Sequence, residues 1–211
     1  MEYPVPSQKA LVRRPGPRIA DGLVTHVERT PVDAGKALTQ WQGYVAALEA
    51  HGWETFLVEP ADDCPDAVFV EDTVVVFRNV ALITRPGAES RRGETPGVEE
   101  AVARLGCSVN WIWEPGTLDG GDVLKVGDTL YAGRGGRTNA AGVQQLRAVF
   151  EPLGARGARA GQQGAAPEVR GDGAARRDGR RTRAAGGSCL ALPAFPAGAG
   201  GGGRPCRPAR R

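Results

Sequence analysis

Val74-Val75-Val76-Phe77-Arg78-Asn79-Val80-Ala81-Leu82-Ile83-Thr84 decides how this chain is read. Two apolar runs, Val74 to Phe77 and Ala81 to Thr84, flank Arg78-Asn79-Val80, which predicts a hairpin. Downstream, Thr95-Pro96 ahead of Glu99-Glu100 predicts a helix start. Thr95 is its cap, Pro96 takes the first helical position and acids fill the first turn. That helix runs to about Leu105, with Gly106 as its stop, and Val109 to Trp113 follows as a strand. The order is strand, strand, helix, strand.

The same order returns further along. Val123 to Val126 and Thr129 to Tyr131 flank Gly127-Asp128, a second hairpin signal. Asn139 then caps a helix with Val143, Leu146, Val149, Phe150 and Leu153 on its inner face. Upstream, Lys9 to Arg13 reads as a short strand. Apolar residues at Leu38, Trp41, Val45 and Leu48 give the stretch from Asp33 to His51 one buried helical stripe. Thr55 to Val58 is a strand ended by Pro60, and Val68-Phe69-Val70 reads as another. Units of this kind bury their faces against neighbours, so the fold class is α/β.

The last 57 residues read differently. Residues 155–211 hold 13 Gly, 14 Ala, 12 Arg and 5 Pro, with no Lys and only Glu168, Asp172 and Asp178 as acids. Twelve arginines against three acids give +9. The whole chain carries +3, so residues 1–154 carry −6. The basic balance belongs to the tail, which removes the argument for a folded nucleic-acid binder. Val169, Leu190, Leu192 and Phe195 are the large apolar side chains available to anchor a core there. Burying them returns at most about 12 kcal/mol. Ordering the backbone costs on the order of 60–110 kcal/mol. The expected division is a folded 1–154 and a disordered, low-complexity 155–211.

No run of eighteen apolar residues is present, so no membrane span is expected. Met1 to Pro6 lacks the basic start and apolar core of a signal peptide, and the chain reads as cytoplasmic. Cys64, Cys107, Cys189 and Cys206 show no CxxC spacing, so neither a disulfide framework nor a zinc site is expected. The glycine pattern from Gly198 to Gly203 lies in a glycine run without a strand before it, and supports no nucleotide cofactor.

Three clusters have residue types suited to chemistry. Asp66, Glu71 and Asp72 flank the short apolar stretch around Phe69. Asp66 and Asp72 share a face if that stretch is a regular strand. Such acids suit a cationic ligand, and they equally suit a solvated loop. Around Gly87, Arg85, Arg91 and Arg92 offer forks for a carboxylate or phosphate, or lie in solvent. Finally, Glu114, Asp119 and Asp122 surround Gly120-Gly121, where the backbone can approach something closely or simply turn. Arg137 precedes a helix start, where anions also bind. His26 and His51 have no Cys, Ser or acid arrangement around them that suggests a triad.

Taken in order, the chain resembles the dimethylarginine dimethylaminohydrolase family of the guanidino-group-modifying pentein superfamily. The residues that carry the resemblance are Asp21-Gly22-Leu23, Pro65-Asp66 to Glu71-Asp72, Ile83 to Gly87, Ser90 to Thr95, Leu118 to Asp122 and Arg137-Thr138-Asn139. They span about residues 9–154. The resemblance implies a five-bladed α/β propeller, of which this length supplies about three ββαβ blades. It implies a small-molecule substrate, a methylated arginine hydrolysed to citrulline and dimethylamine through a Cys-His-acid site, with no metal or organic cofactor. Asp66, Glu71 and Asp72 would meet the substrate's positive groups, with Asp72 nearest the guanidinium. Leu23 would offer its carbonyl to the α-amine, Arg91 and Arg137 would hold the α-carboxylate, and Asp119 would orient the catalytic histidine. Arginine deiminases or amidinotransferases of the same superfamily, and a non-catalytic binder of arginine-like ligands, are the competing readings. No membrane or nucleic-acid partner is implied, and the intact family member is compatible with a homodimer.

The tail departs from that pattern. The family's histidine lies about thirty positions after the residue matching Arg137, in a Val-Leu-His-Leu-Lys setting. Here the window is Gln162 to Glu168, without histidine. The family nucleophile lies beyond this chain's length, and Cys189 resembles its setting only superficially. Written CAG CAA GGT GCT GCA CCT GAA, Gln162 to Glu168 reads Ser-Lys-Val-Leu-His-Leu from its second base. The expectation is a truncated family member with an out-of-frame tail and no activity of its own.

Overall fold

The computed structural model describes residues 8–24 and 31–161. The chain opens with β1 (Gln8–Val12), α1 (Ala34–Ala50) and β2 (Trp53–Leu57), with β1 and β2 parallel and Ala10 opposite Thr55. Asp33 caps α1 by accepting from the Lys36 N–H, as a short acid does at a helix start. The second unit is β3 (Val74–Phe77), β4 (Val80–Ile83), α2 (Thr95–Arg104) and β5 (Ser108–Trp111). The third is β6 (Val123–Val126), β7 (Thr129–Gly133), α3 (Ala140–Phe150) and β8 (Arg156–Gly161). In both, an antiparallel hairpin is joined by a parallel strand after the helix, in the orders β3-β4-β5 and β6-β7-β8. Two complete ββαβ units and a first unit of two described strands therefore stand where about three were expected.

The three units stack by one rule. Leu11 and Val58 of the first unit pack on α2 through Val98, Ala101 and Val102, and α2 also covers its own sheet at Val74, Val76, Ala81 and Ile83. The opposite face of that sheet, Val75, Phe77, Val80 and Leu82, packs against α3 at Val143, Leu146 and Phe150, and α3 covers its own sheet at Leu130 and Ala132. The middle sheet is thus buried on both faces. That is why β3 and β4 are continuous apolar runs instead of alternating ones. Phe77 and Phe150 meet as a tilted pair with centroids 5.8 Å apart.

Three local expectations are corrected. Val68-Phe69-Val70 is not a strand: a run of turns leads into a 3-10 turn at Val70–Asp72. The reason lies in its backbone, whose groups close i,i+3 bonds, Phe69 N–H to Asp66 and Asp72 N–H to Phe69, instead of a ladder. Thr95 is not a cap but the first residue of α2. A 3-10 segment, Glu89–Glu94, runs directly into the helix, and the Thr95 hydroxyl donates back to the Arg92 carbonyl. Order also passes the expected boundary at Gly154, because β8 pairs with β7 through Gly161. The rest of the tail, with the Gln162–Glu168 window and Cys189, lies outside the described residues, as does His26.

Candidate active site

The acidic turn, the arginine segment and the Gly-Gly loop come together because the stacking of units two and three brings their ends into contact. Asp72 is 3% exposed; its Oδ1 accepts the Gly121 N–H at 3.1 Å, and its Oδ2 accepts from Arg91 Nη1. Only glycines fit opposite it. A Cβ on Gly121 would overlap Asp72 Oδ1, and one on Gly120 would overlap the Glu71 carbonyl oxygen. The Gly-Gly pair is therefore a close approach of two backbones, one of the two possibilities left open by the sequence.

Arg91 is 1% exposed. Besides Asp72 it donates to the Glu94 carboxylate, through Nε at 2.9 Å and Nη2 at 2.6 Å, and to the carbonyls of Asp66 and Phe69. Burial by itself lowers a guanidinium's pKa; here the bonds and charges of Glu94 and Asp72 outweigh it and push Arg91 up, so it stays charged. Its donors face the protein. The fork the sequence offered to a substrate carboxylate is spent on bracing the acids. Glu94, equally buried, was quoted in the sequence motif only as a neighbour of the arginines. It is the counter-charge that makes the burial of Arg91 possible. Arg13 adds a third layer by donating to the Glu94 carbonyl at 3.0 Å.

Asp66 is also buried, and its Oδ2 accepts the Leu23 N–H at 3.0 Å. That bond ties the Asp21-Gly22-Leu23 stretch to the acidic turn and leaves the Leu23 side chain exposed. Glu71, next to the buried Asp72, is itself exposed.

Asp119 has the most unusual environment. It is fully buried; its own N–H donates to the Thr138 hydroxyl, and its Oδ1 accepts the Gly87 N–H at 3.0 Å. Gly87 can reach it because a side chain there would collide with the Arg137 backbone. The second oxygen, Oδ2, has no hydrogen-bond donor. Arg137 Nε lies 3.4 Å away as an ion-pair partner without hydrogen-bond alignment, and Arg137 remains 38% exposed. Burial pushes the Asp119 carboxyl up; Asp72 adds to this, while the Gly87 N–H, Arg137 and Arg91 oppose it. Thr138, quoted in the sequence motif without a role of its own, also donates to Asp122 Oδ2 at 2.6 Å and so pins the loop to the start of α3.

The structure thus joins Asp66, Asp72, Arg91, Asp119 and Arg137 into one network, with Glu71 at its rim. Among the described residues no nucleophile joins them. Burial, with Glu94, pushes the Cys64 thiol up despite the arginines beside it, the opposite of an activated thiolate, and Cys107 is core. His51 ends α1, with Nδ1 2.7 Å from the Ala47 carbonyl. Among the described residues no group of three or more His, Cys, Asp or Glu could hold a metal ion.

Comparison with known proteins finds relatives in sequence and in fold. Over 152 residues the chain is 83% identical to N(G),N(G)-dimethylarginine dimethylaminohydrolase of Streptomyces coelicolor, covering 72% of this chain and 59% of that protein. A solved structure of a cysteine-to-serine dimethylarginine dimethylaminohydrolase of Pseudomonas aeruginosa complexed with citrulline superposes with a TM-score of 0.70 at 40% identity, over 75% of this chain and 62% of that one. A histidine-to-glycine variant in an adduct with S-methyl-L-thiocitrulline gives a TM-score of 0.71 at 40% identity over the same shares. No family model matches. The chain spans about three fifths of the length of the relatives it matches.

Proposed function

We propose that the matched part of this chain belongs to the dimethylarginine dimethylaminohydrolase family, within the pentein superfamily, and supplies the acid half of a site that hydrolyses methylated arginine to citrulline and dimethylamine. The observation that carries this reading is the buried, donor-less Oδ2 of Asp119. A buried carboxylate oxygen without a donor costs about 1–3 kcal/mol or more, so folds keep one where a functional donor is to be met. An imidazole N–H is such a donor. Asp119 would fix the ring's tautomer and hold its proton while the ring serves the leaving amine.

In the proposed site Asp72, held by Gly121 and Arg91, faces the guanidinium, with Asp66 and Glu71 adding negative charge. Arg91 acts through Asp72, as a brace. Arg137, the more exposed cation, takes the substrate carboxylate, and the Leu23 carbonyl takes the α-amine. The reaction would run by attack of a cysteine thiolate on the guanidinium carbon. Dimethylamine leaves with the proton from the histidine, and water then cleaves the carbon–sulfur bond to give citrulline. No histidine or cysteine stands beside Asp119 among the described residues, and this reading takes both from outside them.

Titration calorimetry with dimethylarginine, on the chain and on Asp72→Asn, tests the binding half. Weak binding that the substitution abolishes is expected; equal heats from both would refute it. Citrulline release with and without dimethylamine, from methylated and plain arginine, by a protein whose reading frame is restored upstream of Gln162 separates this reading from an arginine deiminase or amidinotransferase.

A further inference from the structure

The loop that carries Asp119 ends in a 3-10 turn, Gly120–Asp122, in which the Asp122 N–H donates back to the Asp119 carbonyl at 3.0 Å. Residues three apart in such a turn lie above one another, so the two carboxylates come to one side. Arg137 faces them both. Its Nε lies 3.4 Å from Asp119 Oδ2 and its Nη2 lies 3.9 Å from Asp122 Oδ1. Among the described residues Nη1 has neither an ion-pair nor a hydrogen-bond partner. Asp122 does not set this geometry alone. Its Oδ2 accepts the Thr138 hydroxyl at 2.6 Å, and the same hydroxyl, on a residue 1% exposed, accepts the Asp119 N–H at 3.1 Å. With Oδ2 so held, Oδ1 is the oxygen turned to Arg137.

We propose that Asp122, held by Thr138, is a positioning residue for Arg137, and that it makes the site select an amino acid over the amine that lacks the α-carboxylate. The inference rests on the assignment of Arg137 to the substrate carboxylate. A guanidinium is planar and grips a carboxylate well only when one edge is presented squarely. Arg137 is 38% exposed, so without a hold its long side chain samples many rotamers and loses that freedom at each binding event. The two acids take up the Nε–Nη2 edge and leave the Nη1 end for a ligand. Asp119 cannot be the lasting hold, because in the proposed chemistry its Oδ2 is to meet a histidine. Asp122 has no such second duty. Its charge opposes a ligand carboxylate, so what it contributes is aim, and Thr138 supplies the rigidity that aim needs.

The test uses the full 211-residue chain with Asp122→Asn, Thr138→Val and Thr138→Ser, and Arg137→Ala as the reference. Calorimetry compares dimethylarginine with its decarboxylated amine, which keeps the dimethylguanidinium. Asp122→Asn is expected to weaken dimethylarginine binding about fivefold, the cost of ordering one long side chain, and to leave the amine within about twofold. Thr138→Val should do the same, and Thr138→Ser, which keeps the hydroxyl, should restore the parent affinity. NMR relaxation of the Arg137 Nε–H reads the hold without any ligand. It should be ordered in the parent and in Thr138→Ser, and mobile in Asp122→Asn and Thr138→Val. Circular dichroism checks each fold. The loop backbone is also clamped at Trp113 by Gln145 and at Thr117 by Asn139, and if Asp122→Asn still misfolds, Thr138→Val carries both readouts. Equal losses for the two ligands, or an Arg137 Nε–H as ordered in the folded variants as in the parent, overturn the proposal. A parent that binds neither ligand, or an Arg137→Ala that binds both as the parent does, refutes the reading of Arg137 itself, and the proposal falls with it. An Arg137→Ala that loses dimethylarginine alone, beside an unaffected Asp122→Asn, overturns the proposal and leaves that reading standing.

Discussion

Replacing Asp119 by Asn should stabilise the chain at neutral pH while removing the group on which the proposed chemistry turns. Asp119 is fully buried, one of its oxygens has no donor, and its ion-pair partner Arg137 is 38% exposed and misaligned. The unmet desolvation costs about 1–3 kcal/mol. The attraction to a partly solvated Arg137 returns roughly 0.2–1 kcal/mol. Asn keeps the acceptor for the Gly87 N–H and removes the charge, so a gain of about 1 kcal/mol is expected, or about 2–4 °C in Tm. The pH dependence gives the sign. The folded chain holds the Asp119 proton more tightly than the unfolded one, because burial pushes the carboxyl up. The stabilising contribution is then fully present below the unfolded value of about 3.9 and is lost as pH rises through the folded value. The difference between Asp119→Asn and the parent should be largest at neutral pH and vanish in acid. Thermal unfolding of both proteins across pH 4–7 measures it. A variant less stable than the parent by more than about 1 kcal/mol at pH 7 would show that the carboxylate is satisfied, and the argument from its unmet oxygen would fail.

Glu94→Gln, which removes the carboxylate charge that Arg91 meets through Nε and Nη2, should cost roughly 3–5 kcal/mol in urea unfolding, and a change under about 1 would make the brace dispensable. Gly121→Ala drives a methyl into Asp72 Oδ1 and should destabilise by about 1–3 kcal/mol, read by the same titration; a neutral result would show that the two loops separate at no cost. The 211-residue chain and its Cys189→Ser variant should both give no citrulline from dimethylarginine by mass spectrometry. Turnover that disappears in the variant would instead make Cys189 the nucleophile.

Much of the fold was legible because the signals were local. Asn139 capping α3, the Gly127-Asp128 turn and the valine runs of the second unit act within a few residues of themselves. The acidic turn was misread because Val68-Phe69-Val70 has strand composition, and the groups that keep it from pairing are distant. Arg91, more than twenty residues on, takes the carbonyls of Asp66 and Phe69. The site was legible as a set of residues but not as a set of partners. Nothing in Ser90 to Thr95 says that Glu94 turns inward to claim Arg91, and nothing in Arg137-Thr138-Asn139 says that the threonine hydroxyl takes the Asp119 N–H. Those are facts of packing between units, which sequence spacing does not encode.

The most direct test joins residues 1–161 of this chain to the segment that follows the matched region in the Streptomyces coelicolor relative, and measures citrulline and dimethylamine release from dimethylarginine with and without Asp119→Asn. The account predicts equal amounts of both products from the joined protein and little or none from plain arginine. It also predicts loss of turnover on the order of ten-thousandfold in the Asp119→Asn variant with substrate binding retained, as when an acid that orients a catalytic histidine is replaced by its amide. A folded, substrate-binding Asp119→Asn protein that turns over as fast as its parent would contradict it.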